Sequence, residues 1–134
     1  MLALNEEVLG FTNIWYESAL RHAFTVTLPN GQPIRVITAP FFLGTKMEAF
    51  RGRGKMDFQA SHDLEDFVAV IEGRDSLFQE VADSPQELRR YLAEAAKSLL
   101  AEPRFLDVLP GFVLDSERVP LIQERLASIA ADIS

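Results

Sequence analysis

The sequence contains no cysteine among its 134 residues, so disulfide bonds and thiolate metal sites are excluded. No apolar stretch approaches the roughly 20 residues that a membrane-spanning helix requires. The first eleven residues, MLALNEEVLGF, contain two acids and no lysine or arginine, whereas a secretory signal peptide begins with a basic segment. We therefore expect a cytoplasmic protein with no membrane partner.

Basic charge is also in short supply, because 13 Lys and Arg residues stand against 20 Asp and Glu residues, for a net charge of −7. Such a surface repels the phosphate backbone, so no extended nucleic-acid interface is expected, although a local basic patch could bind a nucleotide. The dinucleotide-binding G-x-G-x-x-G, the P-loop and the G-x-S-x-G nucleophile elbow are all missing. The commonest sequence signals of an enzyme are therefore absent.

What is present is an ordinary globular composition, with 48% hydrophobic and 25% charged residues. The length suits one domain. We expect residues 1–134 to form that domain in three parts: a helix plus β-hairpin over 1–38, a central two-helix region with polar side chains over 39–74, and a helical tail over 75–134. The expected fold class is α+β, a short β-hairpin followed by a mostly helical bundle of about five helices.

Local signals place these elements. Asn30-Gly31 lies between the β-branched runs 24–28 and 34–38, a pattern typical of a hairpin. Ser61 is a good N-cap for one helix, and Ser84 with Pro85 and Glu87 is typical of the start of another. Helical spacing predicts helices over 14–23, from about 39 to 52, 62–73, from about 76 to 81, 85–101 and 116–131, with a short apolar segment over 105–112 after a stop at Pro103.

The basic turn RGRGK, residues 51–55, is the first candidate site. Its two glycines free the backbone amides, and Arg51, Arg53 and Lys55 surround them with positive charge, which suits binding of a phosphate. The alternative is a solvated loop whose glycines end a helix.

An acidic group follows it. On a helix that begins after Ser61, His62 and Asp66 are four residues apart and Asp63 and Asp66 three apart, so they share a face. This face could bind a divalent cation or position a base, and Asp57 and His62 are further candidates for an acid or a metal ligand. The alternative is N-terminal capping, since acids are favoured there by the helix dipole.

The two groups together indicate more than either alone. Cations such as Lys46 and Arg53 opposite carboxylates such as Asp63 and Asp66 are what a nucleotide-handling site needs. The His62-Asp63 pair with His22 upstream also invites comparison with HD-type phosphohydrolases. Those are helical throughout this region, whereas the predicted hairpin here separates the two histidines.

The segments LGFTNIWY and IRVITAPFFLGTKMEAFRGRGKMDFQASHDLEDFVAVIEGR resemble bacterial nucleotidyltransferase-like proteins of the DNA polymerase β superfamily, relatives of the AbiE-type abortive-infection toxins. The resemblance covers about residues 5–75. Lys46, Ala49, Arg53, Asp63 and Asp66 match the family's later K-x-x-A…R…D-x-x-D region. The resemblance implies catalytic roles for Lys46, Asp63 and Asp66, and binding of a nucleoside triphosphate by the same lysine with the three cations of the RGRGK turn.

The family's earlier half departs from this chain. That half carries a Gly-Gly or Gly-Ser turn and a D-x-D pair for two metals, but this sequence has neither and its first aspartate is Asp57. We therefore expect the C-terminal part of a nucleotidyltransferase-like protein, lacking the N-terminal nucleotidyltransferase half. Mg²⁺, implied by the resemblance alone, is not expected to bind this chain by itself.

Two functions follow as expectations. The first is transfer of a nucleotide to protein or RNA, as in toxin–antitoxin or phage-defence systems, with the chain inactive until its catalytic half is present. The second is a non-catalytic interaction or dimerisation module. The expected macromolecular partner is accordingly the missing half or a second copy of the chain, as a homodimer.

Overall fold

The computed structural model describes residues 2–3, 14–52, 57–58 and 61–131. Three strands form its sheet: β1 (Leu2–Ala3), β2 (Phe24–Thr27) and β3 (Pro33–Ile37). The α-helices are α1 (Tyr16–Arg21), α2 (Ala39–Gly52), α3 (His62–Gly73), α4 (Leu77–Ala82), α5 (Gln86–Leu100), α6 (Pro103–Val108) and α7 (Val119–Ala131). Short 3-10 turns cover Leu109–Phe112 and Ser116–Arg118. A hairpin followed by mostly helical structure confirms the α+β fold class.

The hairpin forms where Asn-Gly predicts it. β2 pairs antiparallel with β3, with Phe24 opposite Val36 and Thr27 opposite Pro33. In the turn, Gly31 has a φ of +86°, which glycine adopts without a steric penalty. The Gln32 amide donates to the Asn30 side chain at 2.9 Å, an Asx turn. β1 adds a third strand on the other side of β3, so the strand order is β1-β3-β2.

α3 begins and ends where its sequence indicates. The Ser61 hydroxyl accepts a hydrogen bond from the Leu64 amide at 3.1 Å and so caps the helix. Gly73 is the last helical residue, and the following Arg74 is extended. The predicted N-cap and end of this helix are both confirmed.

The predicted start of α5 is wrong by one residue. Its N-cap is Pro85, which makes no side-chain cap hydrogen bond. The Ser84 hydroxyl instead donates to the Val81 carbonyl at 2.6 Å, so it completes the end of α4. Two helices compete for this serine, and the preceding one wins because its terminal carbonyls also need donors.

Pro103 starts a helix as well as following one. Glu102 caps α6 by accepting the Arg104 amide at 3.2 Å, and Pro103 occupies the first turn, where its missing N–H costs nothing. The expected apolar segment over 105–112 is therefore α6 followed by a 3-10 turn. In the described residues, six α-helices follow the hairpin where about five were expected. Three of the seven described α-helices have only six residues.

The core is centred on α2. This helix packs against α1, α3, α4 and α5, and from Ala39 to Phe50 only Glu48 is not buried. The predicted inward faces of the neighbouring helices are buried as well: Leu64, Phe67, Val68 and Ile71 of α3, and Leu88, Leu92, Ala95, Ala96 and Leu99 of α5. None of the helices in the described ranges combines the length and apolar character needed to cross a bilayer.

Candidate functional site

Lys46 lies in the middle of α2, with only 10% of its side chain exposed. Its ammonium group sits 5.4 Å from the centroid of the Phe42 ring, one helical turn earlier. An ammonium group buried this far requires an opposite charge within reach, because burial removes its hydration. Lys46 therefore marks the point on α2 where carboxylates are expected.

Two carboxylates of α3 supply that charge. The Lys46 Nζ atom is 2.8 Å from Asp66 Oδ2 and 3.4 Å from Asp63 Oδ1. The Asp63 side chain is 11% exposed, whereas 48% of the Asp66 side chain is exposed. One ammonium and two carboxylates leave the group with one negative charge in excess. The structure thus joins α2 to the first turns of α3 through a partly buried ion-pair cluster.

The local structure of α3 explains why these two side chains reach Lys46. With Ser61 as N-cap, Asp63 falls in the first turn, where the helix dipole stabilises a carboxylate. Asp66 follows three residues later on the same side of the helix. Asp63 is held in the interior and Asp66 faces water, so the cluster has a buried end and an accessible end.

His62 does not join this cluster. Its side chain is 94% exposed, and its Nδ1 atom lies 3.8 Å from Glu65 Oε2. Asp57 is also exposed, and its backbone carbonyl accepts a hydrogen bond from the Ser61 amide at 3.2 Å. Of the acidic candidates, Asp63 and Asp66 are the two that the structure brings to Lys46.

Arg51 lies on a different side of α2. Five residues from Lys46, it is turned by about 140° around the helix axis, and its guanidinium lies 5.2 Å from the centroid of the Tyr91 ring of α5. The other two phosphate-binding candidates of the turn, Arg53 and Lys55, lie outside the described residues. The structure therefore places Arg51 with α5 and not with Lys46.

Glu48 and Tyr91 form a polar contact that the sequence did not indicate. The Tyr91 hydroxyl donates to Glu48 Oε2 at 2.6 Å. Burial is the main cause of a raised pKa of the Tyr91 phenol, and this hydrogen bond raises it further. The two residues are 43 positions apart, and no spacing rule links side chains at that separation, so only the packing of α5 against α2 reveals them.

Asp63 and Asp66 are also the carboxylates to consider as metal ligands. Within the described ranges, no group of three or more His, Cys, Asp or Glu side chains is placed to hold a metal ion. Asp63 and Asp66 both contact the Lys46 ammonium, which repels a second cation at the same oxygens. What the cluster offers chemically is a lysine held by one fixed and one accessible carboxylate.

No protein-family model, curated protein or solved structure matches this chain.

Proposed function

We propose that this chain contributes the triphosphate-binding lysine and its carboxylate partners to a nucleotidyl-transfer centre. One observation supports this most: the Lys46 ammonium, 2.8 Å from Asp66 and 3.4 Å from Asp63, lies within the stretch that resembles the nucleotidyltransferase-like proteins. Metal-binding carboxylates would come from residues outside this cluster. The acceptor would be a protein or RNA.

Each member of the cluster has a distinct role in this proposal. Lys46 would neutralise the negative charge that builds up on the phosphate oxygens during transfer, as a fixed cation does in phosphoryl-transfer enzymes. Asp63, which is buried, would act as a positioning residue that holds the lysine. Asp66, which is accessible, would orient the lysine or the acceptor. Arg53 and Lys55 would add positive charge from the basic turn, a role proposed from the sequence.

Binding of a nucleoside triphosphate to the purified chain is the first test. Isothermal titration calorimetry should detect binding by the wild type, and Lys46→Met should weaken it by about tenfold or more, since a charge-assisted hydrogen bond contributes about 1.5–3 kcal/mol. Lys97→Met, on the exposed side of α5, is the matched control. Circular dichroism confirms that each variant is folded. Equal affinity of the two variants would refute the role of Lys46.

Transfer itself is the second test. The chain alone is expected to incorporate no labelled nucleotide into protein or RNA with Mg²⁺ present, because its sequence lacks the D-x-D pair. Incorporation by the chain alone, abolished by Lys46→Met, would show instead that its own residues complete the centre.

A non-catalytic interaction module is the second candidate. It is supported by the pairing of Lys46 with two carboxylates, which a purely structural ion cluster also shows. β2 also lies at an edge of the described sheet, and an edge strand can pair with a second chain. A stable dimer in light scattering, together with no triphosphate binding by the wild type, would favour this candidate over the first.

A further inference from the structure

A cleft of about 390 Å³ lies between the hairpin, the start of α2 and the junction of α4 with α5. Its lining includes none of Lys46, Asp63 and Asp66. Its volume falls in the range of small-molecule sites, which combine apolar walls with a few polar groups. The chemistry of its lining decides which small molecule it suits.

One wall of the cleft is apolar and aromatic. Phe24 of β2 and the residues Pro40 and Phe41 at the start of α2 line it. The His22 ring stacks on Phe41, with the ring centroids 4.8 Å apart and the planes inclined by 23°. This wall can bury an aliphatic or aromatic side chain of a ligand.

Arg74 supplies hydrogen-bond donors to the same cleft. Its Nε atom holds both carboxylate oxygens of Glu80, at 2.8 and 2.6 Å. No hydrogen bond to another described residue uses its two terminal nitrogens. These nitrogens form a fork that matches the two oxygens of a carboxylate.

Asp83 supplies the opposite charge. Its side chain lines the cleft and is exposed at the rim. One carboxylate oxygen accepts the Gln79 side-chain amide at 3.0 Å, and the second accepts no hydrogen bond from the residues that the structure describes. An ammonium group is the ligand group that such an oxygen binds most strongly.

We propose that this cleft binds a free α-amino acid with an apolar side chain. Its carboxylate pairs with Arg74, its ammonium with Asp83, and its side chain packs on the wall formed by Phe24, Pro40 and Phe41. A phosphate ligand would offer neither an ammonium group for Asp83 nor an apolar side chain for the wall. The site goes beyond the proposed function, since the two share no residue.

Ligand analogues test each of the three contacts separately. Titration calorimetry with the full chain should show that phenylalanine or leucine binds at millimolar concentration or below. Binding should weaken about tenfold or more when the ammonium is acetylated, when the carboxylate is converted to the amide, or when glycine removes the side chain. Preferred binding of adenosine, guanosine or inorganic phosphate in the cleft would overturn the proposal.

A substitution of Asp83 tests where the ammonium group of the ligand binds. Asp83→Asn should weaken phenylalanine binding about tenfold but should leave the affinity for N-acetylphenylalanine unchanged, because that analogue has no ammonium group. Asp107→Asn, an exposed aspartate on α6, is the control. Equal losses for phenylalanine and its acetylated analogue, or no loss at all, would place the ammonium elsewhere and refute the assignment.

The outcome is separable from that of the proposed function. Triphosphate binding without amino-acid binding refutes the cleft assignment alone. Amino-acid binding without triphosphate binding supports the cleft and counts against the role of Lys46.

Discussion

Lys46 and Asp63 are the two charged residues that the described part of the chain buries. A buried ion pair contributes little net stability compared with a well-packed apolar pair, yet removing one of its two partners is strongly destabilising. Asp66 can turn toward water, since its side chain is half exposed, but Asp63 cannot. The stability of this cluster therefore depends on Lys46 more than on Asp66.

Lys46→Met is expected to lower the free energy of unfolding by about 3 kcal/mol, because it removes the ammonium group that lies against the buried Asp63 carboxylate. Urea denaturation followed by circular dichroism measures the change. The control Lys97→Met should stay within about 0.5 kcal/mol of the wild type. The double variant Lys46→Met with Asp63→Leu should recover most of the lost stability. A double variant no more stable than Lys46→Met alone would show that the Lys46–Asp63 pair does not explain the loss.

At the scale of elements, α3 depends on α7 for its C-terminal end. Arg125 of α7 donates from Nη1 to the carbonyls of Ile71 and Glu72, at 2.8 and 2.7 Å, and from Nη2 to Asp75 at 2.6 Å. Arg118 adds contacts to the Glu72 carboxylate at 2.9 Å and to its carbonyl at 3.2 Å. The last carbonyls of a helix lack intrahelical partners, so these arginines take the place of a local cap.

Arg125→Lys is expected to lower the free energy of unfolding by about 1–2 kcal/mol, since a single ammonium cannot reproduce the forked contacts to two carbonyls and a carboxylate. Thermal and urea unfolding measure the loss. Arg90→Lys, on the exposed side of α5, is the control. It makes the same chemical change away from the contacts with the end of α3. Similar stabilities of the two variants would show that the fork contributes nothing.

The close approach of α2 to α1 and α5 depends on Gly44. A Cβ atom added there would lie 3.0 Å from Leu88 Cδ1 and 3.2 Å from two ring atoms of Trp15. Gly44→Ala is therefore expected to destabilise the protein by about 1–2 kcal/mol, because overpacking exceeds the gain in helix propensity. Gly52→Ala, which meets no atom within 4 Å, should be neutral or stabilising by up to about 1 kcal/mol. Urea unfolding measures both variants. A loss of unfolding free energy of similar size in both would contradict this account.

At the scale of the whole molecule, the stability of this acidic chain must depend on pH. Glu80 is one group whose contribution has a defined direction: its hydrogen bond from Arg74, helped by one from Ser76, lowers the pKa of the Glu80 carboxyl below its ordinary value. The unfolded state therefore binds more protons in the acid range, and stability rises with pH there. The contribution is complete above about pH 5 and is lost as the pH falls through the lowered pKa.

Glu80→Gln is expected to cost about 1 kcal/mol at pH 7, since the side chains of this pair are only partly exposed. The difference between wild type and variant should shrink as the pH falls toward 3, because the wild-type carboxyl then becomes neutral as well. Urea unfolding over a pH series measures it. Glu94→Gln on the exposed side of α5 is the control, and a difference that stays constant with pH would exclude the linkage.

Features that depend on neighbouring residues were predictable. Asn30-Gly31 specifies the hairpin because a tight turn needs a residue that accepts a positive φ, and Ser61 specifies the start of α3 because its hydroxyl reaches an amide three residues on. The predicted role of Ser84 as N-cap of α5 is wrong, since its hydroxyl can serve either end of a short connection. Signals within a few residues fix where an element begins, unless two elements compete for the same side chain.

The sequence by itself determined the hairpin, the main helices with their buried faces, and the types of charge available near the centre of the chain. Only the tertiary structure decided which charges meet: Lys46 with Asp63 and Asp66, but Arg51 with Tyr91, and Arg74 with Glu80 beside the cleft. Helix spacing tells which side chains share a face. It does not tell which face of another helix lies opposite, because the packing of the whole apolar core sets that.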